Sequence, residues 1–363
     1  MKKIKVVILG NANSIHIQRW AEGLYSKGVE VHLVTCHRFN FEYSSGIFLY
    51  QLTYDAPYGY ILSVFQAKLL LRTIKPDLLH AHYVTGYGTL ANLIGYKDTL
   101  VSAWGADVYD FPRKSLLHRW LVKFNLTRSK GVASTSHAML DAIKTLCPDL
   151  KQTYVTPFGV DIDIFLPSKK NIDSFPIITI GTVKLLHNKY GIDTLIRAFS
   201  DFRALAPELE SKLVIVGSGP DKKNLEELAM NLNIASFVEF KGYVDNALVP
   251  CMLNKFDIFV ALSRLDSESF GVAAVEANAC GLPVIVSDVS GFKEVVLNGK
   301  TGLIVKRDDQ IAASKAMLLL ALDSNLRQLM GEAGRRHVVD QYSWESSINQ
   351  MLFVYSELCN DKK

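Results

Sequence analysis

The sequence has no run of about 18 unbroken apolar residues, so no membrane-spanning helix is expected. Its apolar start, Ile4–Leu9, is interrupted by Lys5 and is too short for a secretory leader. A cytoplasmic protein is therefore expected. Cysteine is sparse, and Cys36, Cys147, Cys251, Cys280 and Cys359 form no Cys-x-x-Cys pair, which argues against a structural zinc or a redox motif. These five are expected to be buried, reduced packing residues. Repeats of 20–50 residues and low-complexity tracts are missing, which excludes solenoids and disordered tails. No Gly-x-Gly-x-x-Gly follows the first strand, and Gly299-Lys300-Thr301 has Glu294 where a phosphate loop needs its first glycine. No metal, cofactor or nucleic acid is implied.

The 363 residues are 49% hydrophobic and 21% charged, the composition of an ordinary globular chain of about two domains. The net charge of +4 is unevenly spread: 1–165 carries 18 basic against 12 acidic residues, and 166–363 carries 22 against 24. A basic first half suits an anionic surface or ligand, or is simply a solvated face. Short apolar runs alternate with amphipathic stretches throughout, the pattern of parallel strands joined by crossover helices, so the fold class is α/β. Strands are predicted at Ile4–Leu9, Val31–Thr35, Leu78–Ala81, Leu100–Ala103, Gly131–Thr135 and Tyr154–Thr156. A second series runs through Ile177–Ile180, Leu213–Val216, Phe237–Phe240, Ile258–Ala261, Val284–Ser287 and Leu303–Val305. Two doubly wound Rossmann-like sheets are implied. Pro157–Pro176 lacks periodicity and reads as a linker whose bending would open or close a cleft. The expected domains are 1–165, with 343–363 returning to it, and 166–342.

Ligand crevices of doubly wound sheets lie beyond the carboxyl ends of the strands. The stretch Ser263-Arg264-Leu265-Asp266-Ser267-Glu268-Ser269-Phe270-Gly271-Val272-Ala273-Ala274-Val275-Glu276-Ala277 reads as strand end, polar loop and helix. Ser267 or Ser269 is expected to cap that helix, whose exposed N–H groups attract an anion such as phosphate. Glu276 follows Gly271 by a helical rise of roughly 7–8 Å, so Glu268 and Glu276 flank the anion position at different heights. An unpaired carboxylate in the apolar run Val272–Cys280 is costly to bury, which turns Glu276 toward a polar ligand.

This stretch resembles the Glu-x7-Glu signature of the retaining, nucleotide-sugar-dependent glycosyltransferases of family 4, which have the two-domain GT-B fold. Gly159-Val160-Asp161 with Phe165 and Pro167, Gly217-Ser218-Gly219-Pro220, Phe240-Lys241-Gly242-Tyr243-Val244, Gly302-Leu303-Ile304-Val305 and Tyr342-Ser343-Trp344 are similar to further family segments. The resemblance implies that Glu268 meets donor-sugar hydroxyls and Glu276 the ribose. The Phe270, Gly271 and Val272 backbone would lie near the diphosphate, with Gly181, Gly217 and Val244 lining the donor pocket. A departing nucleoside diphosphate gains charge in the transition state and needs fixed cations. Lys184 and Lys189, in Gly181-Thr182-Val183-Lys184 and Lys189-Tyr190-Gly191, stand after a strand where the family has Arg and Lys-Gly.

In the first half, Gly10-Asn11-Ala12-Asn13-Ser14 occupies the place of the family's paired glycines, leaving Asn13, Ser14 and His16 as acceptor-side candidates; alternatively Ser14 caps the helix and His16 lies on its polar side. Trp104-Gly105-Ala106-Asp107 resembles the family's His-Gly-Ser-Asp turn with Trp in place of His. Asp107 is expected to orient sugar or acceptor hydroxyls, and His82 to line the same crevice. Arg113–Lys130 carries six basic residues and no acidic one, with Leu116, Leu117, Trp120, Leu121 and Phe124 at helical spacing. It reads either as a helix resting on an anionic membrane or as a crossover helix packed under its sheet.

The expected function is transfer of a sugar from a nucleotide sugar, UDP-linked, to a glycan or lipid-linked acceptor in bacterial surface polysaccharide assembly, at the inner face of the plasma membrane. An epimerase on a similar fold, or a silent membrane-associated copy, are the alternatives.

Overall fold

The computed structural model describes residues 3–168 and 177–360. The chain divides into two compact units, Met1–Phe158 with Glu345–Lys363, and Gly159–Trp344. The division falls after Phe158 rather than after Phe165, because the intervening segment is bound into the second unit. There the Val160 N–H donates to the Tyr342 carbonyl at 2.8 Å, and Arg335 Nη1 donates to the Phe165 carbonyl at 2.6 Å. Of the expected linker Pro157–Pro176, residues 169–176 lie outside the described residues.

The first unit is built from β1 (Lys5–Leu9), α1 (Ile15–Ser26), β2 (Glu30–Thr35), β3 (Phe48–Gln51), α2 (Gly59–Leu62), α3 (Val64–Ile74), β4 (Leu78–His82), α4 (Gly86–Ile94), β5 (Thr99–Ala103), α5 (Ala106–Tyr109), α6 (Leu116–Thr127), β6 (Gly131–Ser134), α7 (His137–Leu146) and β7 (Thr153–Val155). Its parallel sheet has the order β3-β2-β1-β4-β5-β6-β7. The central strands are buried on both faces, which is why they read as unbroken apolar runs such as Val6-Val7-Ile8-Leu9. Strand β3 was not expected; it sits at the sheet edge with Phe48 exposed and lacks the hydrophobic signature of its neighbours.

The second unit comprises β8 (Ile178–Val183), α8 (Ile192–Leu205), β9 (Ser211–Val216), α9 (Lys222–Asn231), β10 (Val238–Gly242), α10 (Val249–Leu253), β11 (Ile258–Ala261), α11 (Val272–Ala279), β12 (Val284–Ser287), α12 (Ser290–Val295), β13 (Gly302–Val305), α13 (Gln310–Leu322) and α14 (Ser324–Gln341). Its sheet order is β10-β9-β8-β11-β12-β13. Edge strand β10 turns Val238 and Phe240 to the core and Glu239 and Lys241 to water, charges that discourage pairing with another edge. The last helix, α15 (Trp344–Asn360), buries Met351, Val354, Tyr355 and Leu358 in the first unit. The Tyr355 hydroxyl pairs with His80 Nδ1 at 2.7 Å.

Cys36, Cys147 and Cys280 are buried as expected, whereas Cys251 on α10 is exposed and Cys359 is half-buried.

Candidate functional site

In each sheet the strand order reverses once, between β1 and β4 in the first unit and between β8 and β11 in the second. Loops leaving two such strands in opposite directions open a crevice. In the second unit those loops carry Lys184 after β8 and Ser263–Gly271 after β11.

Lys184 Nζ lies 2.6 Å from Glu268 Oε2, with both side chains about nine-tenths buried, and Ser263 Oγ donates to the same carboxylate oxygen at 3.2 Å. Lys184 and Lys189 both approach the ring of Tyr190, their ammonium groups 5.0 and 5.3 Å from its centroid. The ring's negative face favours cations gathered there. Tyr190 was not expected, and it joins three sequence-predicted residues into one cluster.

The surrounding turns are fixed by contacts the sequence does not display. Gly217 holds φ +142°, and a Cβ there would stand 1.8 Å from the Lys184 carbonyl oxygen, so the glycine turn serves close backbone approach. Its N–H donates to the Gly242 carbonyl at 2.8 Å, drawing the end of β10 and half-buried Val244 toward the same side. Gly181 lies inside β8 with its Cα against the Phe256 ring; its place is in the packing of the strand, not in the loop.

Two arginines clamp the long loop. Arg264 reaches Asp193 Oδ2 at 2.7 Å and Thr194 Oγ1 at 2.9 Å, also pairs with Asp308, and its N–H donates to the Lys189 carbonyl at 2.8 Å. Arg307 bridges Asp266 at 3.1 Å and Asp288 at 3.2 Å. Against partial burial, Arg264 keeps the Asp193 carboxyl below the usual range, and the Ser290 N–H together with Arg307 does the same for Asp266.

Helix α11 begins differently from expectation. Neither Ser267 nor Ser269 caps it; Gly271, at φ +85°, occupies the cap position without a side-chain bond, and Ser267 Oγ is buried without a partner. Intrahelical bonding starts with the Ala274 N–H to the Gly271 carbonyl at 2.9 Å. The N–H groups before it are those a helix leaves for an anion. Phe270 is buried, Val272 is half-buried, and Glu276 is half-buried one turn further along.

In the first unit, His16, His82, Trp104 and Phe158 form an aromatic group at the β1/β4 reversal. His16 stacks on Phe158 at 4.2 Å, and Trp104 stands edge-on to His16, His82 and Phe158 at 5.4–5.5 Å. His16 therefore faces rings rather than the polar side of α1, and burial pulls its pKa down to about 4. His82 is buried with neither ring nitrogen hydrogen-bonded, and burial lowers it to about 3. Tyr83, next to it, holds φ +86°, a conformation that costs a bulky residue about 1–3 kcal/mol and concentrates at functional sites.

Asp107 is fully buried and accepts the N–H groups of Val84 (2.8 Å), Trp104 (3.1 Å) and Gly105 (2.8 Å), so its oxygens pin the turns after β4 and β5. Asn13 is likewise used locally, bonded to the Arg38 carbonyl and the Asn40 N–H, and Ser14 stands at the cap position of α1 without a side-chain cap bond.

Two Rossmann-like sheets, one with a lysine–glutamate pair at its strand reversal, give the chain the GT-B architecture. Two family models match it: "Glycosyl transferases group 1" over residues 168–337 and "Glycosyl transferase 4-like" over residues 5–136. The chain belongs to this glycosyltransferase family. It is 27% identical over 362 residues to N-acetyl-alpha-D-glucosaminyl L-malate synthase of Bacillus anthracis, covering 94% of this chain and 92% of that one. It is 32% identical over 204 residues, 52% of each chain, to the GDP-mannose-dependent alpha-(1-6)-phosphatidylinositol monomannoside mannosyltransferase of Mycolicibacterium smegmatis. Among solved structures it resembles sucrose-phosphate synthase from Thermosynechococcus elongatus, with TM-score 0.85, 20% identity and 99% and 100% of the two chains covered. Anabaena Alr3699/HepE in complex with UDP-glucose gives TM-score 0.78 and 16% identity over 98% and 100%.

Proposed function

We propose that this glycosyltransferase binds a UDP-sugar in the second unit and transfers the sugar, with retention of anomeric configuration, to a glycan or lipid-linked acceptor bound by the first. The observation that carries the reading is the cluster of Lys184, Lys189, Tyr190 and Glu268 at the β8/β11 reversal. Bond breaking moves negative charge onto the departing diphosphate, and preorganised ammonium groups stabilise it without reorganisation. Lys184, Lys189 and the first N–H groups of α11 supply that charge in this account, and the reaction proceeds without a metal. Glu268 accepts donor-sugar hydroxyls while holding Lys184, and Glu276 meets the ribose hydroxyls. Trp104 and His16 offer ring faces to an acceptor, with His82 behind them.

A role in bacterial surface polysaccharide assembly, at the inner face of the plasma membrane, fits α6. Its buried residues are Val122, Asn125 and Leu126, so the stripe begun by Leu116, Leu117 and Trp120 faces water rather than the sheet. Arg113, Lys114, Arg119 and Lys123 surround that stripe, an arrangement suited to anionic lipid. Lys130 is used internally, bonded to Asp98 and to the Leu358 carbonyl. No helix among the described residues is long and apolar enough to cross a membrane.

Calorimetry against UDP-, GDP- and ADP-sugars, followed by NMR of the product anomer, tests the reading. Binding of a UDP-sugar and a product of unchanged anomeric configuration are expected; a GDP or ADP preference, or inversion, would refute the corresponding part.

A further inference from the structure

Next to Trp104 the first unit holds a set of polar aromatic side chains that the chemistry above does not use. His37 follows β2 and Tyr83 follows β4, both at the carboxyl edge of the sheet, and Tyr60 reaches them from α2. The Tyr83 ring stands edge-on to Trp104 at 6.4 Å, and the Tyr60 ring lies 6.4 Å from His37 and 5.1 Å from Tyr87. A Cβ at Gly86 would stand 2.4 Å from the Tyr60 ring, so the glycine lets that ring close onto the start of α4.

A hydrogen-bond relay orients His37. Thr35 Oγ1 accepts the N–H groups of His37 (3.1 Å) and Ala12 (3.4 Å), and its own proton goes to the Tyr87 oxygen at 3.1 Å in preference to the His37 carbonyl at 3.5 Å. The Tyr87 oxygen also accepts the Cys36 N–H at 3.0 Å, so its hydroxyl donates to His37 Nδ1 at 2.8 Å and the imidazole carries its proton on Nε2. Burial lowers the His37 pKa against the opposing effect of Asp55, which favours this neutral form. His37 Nε2 and the hydroxyls of Tyr60 and Tyr83 have no hydrogen-bond partner among the described residues, although all three side chains are half-buried.

From this wall we infer that His37, Tyr60 and Tyr83 form a saccharide subsite beside Trp104, so that the acceptor is an uncharged glycan of at least two rings. Aromatic faces take the apolar side of a sugar ring, and N–H and O–H groups set among them take its hydroxyls. Charge selects an uncharged ring. The carboxyl groups acting on His37 and Tyr83 are Asp55, Asp107 and Asp110, and neighbouring Arg38 is paired with Asp55 at 3.3 Å, so a phosphate or carboxylate would meet like charge. The subsite rests on the reading of the first unit as the acceptor-binding one and adds to it the charge and minimum length of the acceptor.

The test is saturation-transfer NMR of the full chain with UDP present, against methyl glycosides of glucose, galactose, mannose and N-acetylglucosamine, their disaccharides and their 6-phosphates. A disaccharide is expected to bind at least about threefold more tightly than its monosaccharide, with transfer to both rings, and no phosphate is expected to bind more tightly than its neutral parent. His37→Ala is expected to cost about tenfold in disaccharide affinity and Tyr60→Phe about threefold, each with loss of transfer to one ring. Tyr60→Phe keeps its ring on Gly86 and removes only the hydroxyl, and circular dichroism with a UDP titration reports that both variants are folded. Disaccharides that bind no better than monosaccharides, tighter binding of a phosphate, or wild-type affinity in both variants would overturn the subsite while leaving Trp104 as the acceptor position. Failure of every saccharide to bind the wild type would overturn the acceptor reading of the first unit together with it.

Discussion

The Lys184 ammonium is held 2.6 Å from the Glu268 carboxylate, across the point where the strand order of the second sheet reverses. Their residues are 84 positions apart in the chain, yet each is the other's closest charge partner in this loop cluster. Removing one member of a buried pair leaves an uncompensated charge, which costs about 3–5 kcal/mol. Lys184→Met and Glu268→Gln are each expected to destabilise the second unit, and the double variant by less than their sum. Urea unfolding of the four proteins measures this coupling, and all three variants are expected to lose transfer.

Gly217 gives a sharper steric prediction. Its φ of +142° and the 1.8 Å approach of a Cβ to the Lys184 carbonyl leave no room for alanine. Gly217→Ala is expected to lose about 1–3 kcal/mol in urea unfolding and to weaken donor binding in calorimetry, because the strand end bearing Lys184 must move.

Arg264 does not enter the proposed chemistry, yet it ties the Lys189 segment to Asp193, Thr194 and Asp308. A lysine cannot reproduce that fork. Arg264→Lys is expected to lower kcat by roughly tenfold or more through misplacement of Lys189, with KM for the acceptor little changed. Steady-state kinetics at saturating donor reads the split.

Acid stability follows from the buried imidazoles of the first unit. His16 and His82 titrate at about 4 and about 3 in the folded chain, and His80 is also pushed well down, because burial penalises the charged ring. In the unfolded chain they titrate near pH 6.5. The unfolded state therefore binds more protons between these values, so stability is complete above about pH 6.5 and falls as pH drops through the window. At pH 5 His82 alone accounts for on the order of 2 kcal/mol. Thermal melts from pH 7 to pH 4.5 are expected to show a falling Tm, and His82→Leu a shallower fall.

The fold was legible where burial leaves a mark in the sequence. Central strands such as Val6–Leu9 and Ile258–Ala261 are apolar on both faces and bounded by polar turns. Strand β3 lies at an edge with Phe48 exposed and gives no such signal. In the candidate site, the clustering of Glu268, Lys184 and Lys189 was legible because they follow strands next to recognisable turns. The clamps of Arg264 and Arg307 were not, since Asp193 comes from the first turn of α8 and Asp308 and Asp288 from other loops. The burial of Asp107 is hidden for a related reason: its partners are backbone N–H groups, which leave no mark in a sequence.

The central claim is that the second unit grips a diphosphate through Lys184, Lys189 and the start of α11. Its most direct test is calorimetric comparison of UDP with uridine for the wild type, Lys184→Met and Lys189→Ala. The account predicts that the wild type binds UDP at least about a hundredfold more tightly than uridine, since each charge-assisted contact is worth about 1.5–3 kcal/mol, and that each variant loses at least about tenfold of that preference while binding uridine unchanged. A preference for UDP that survives both substitutions would contradict it.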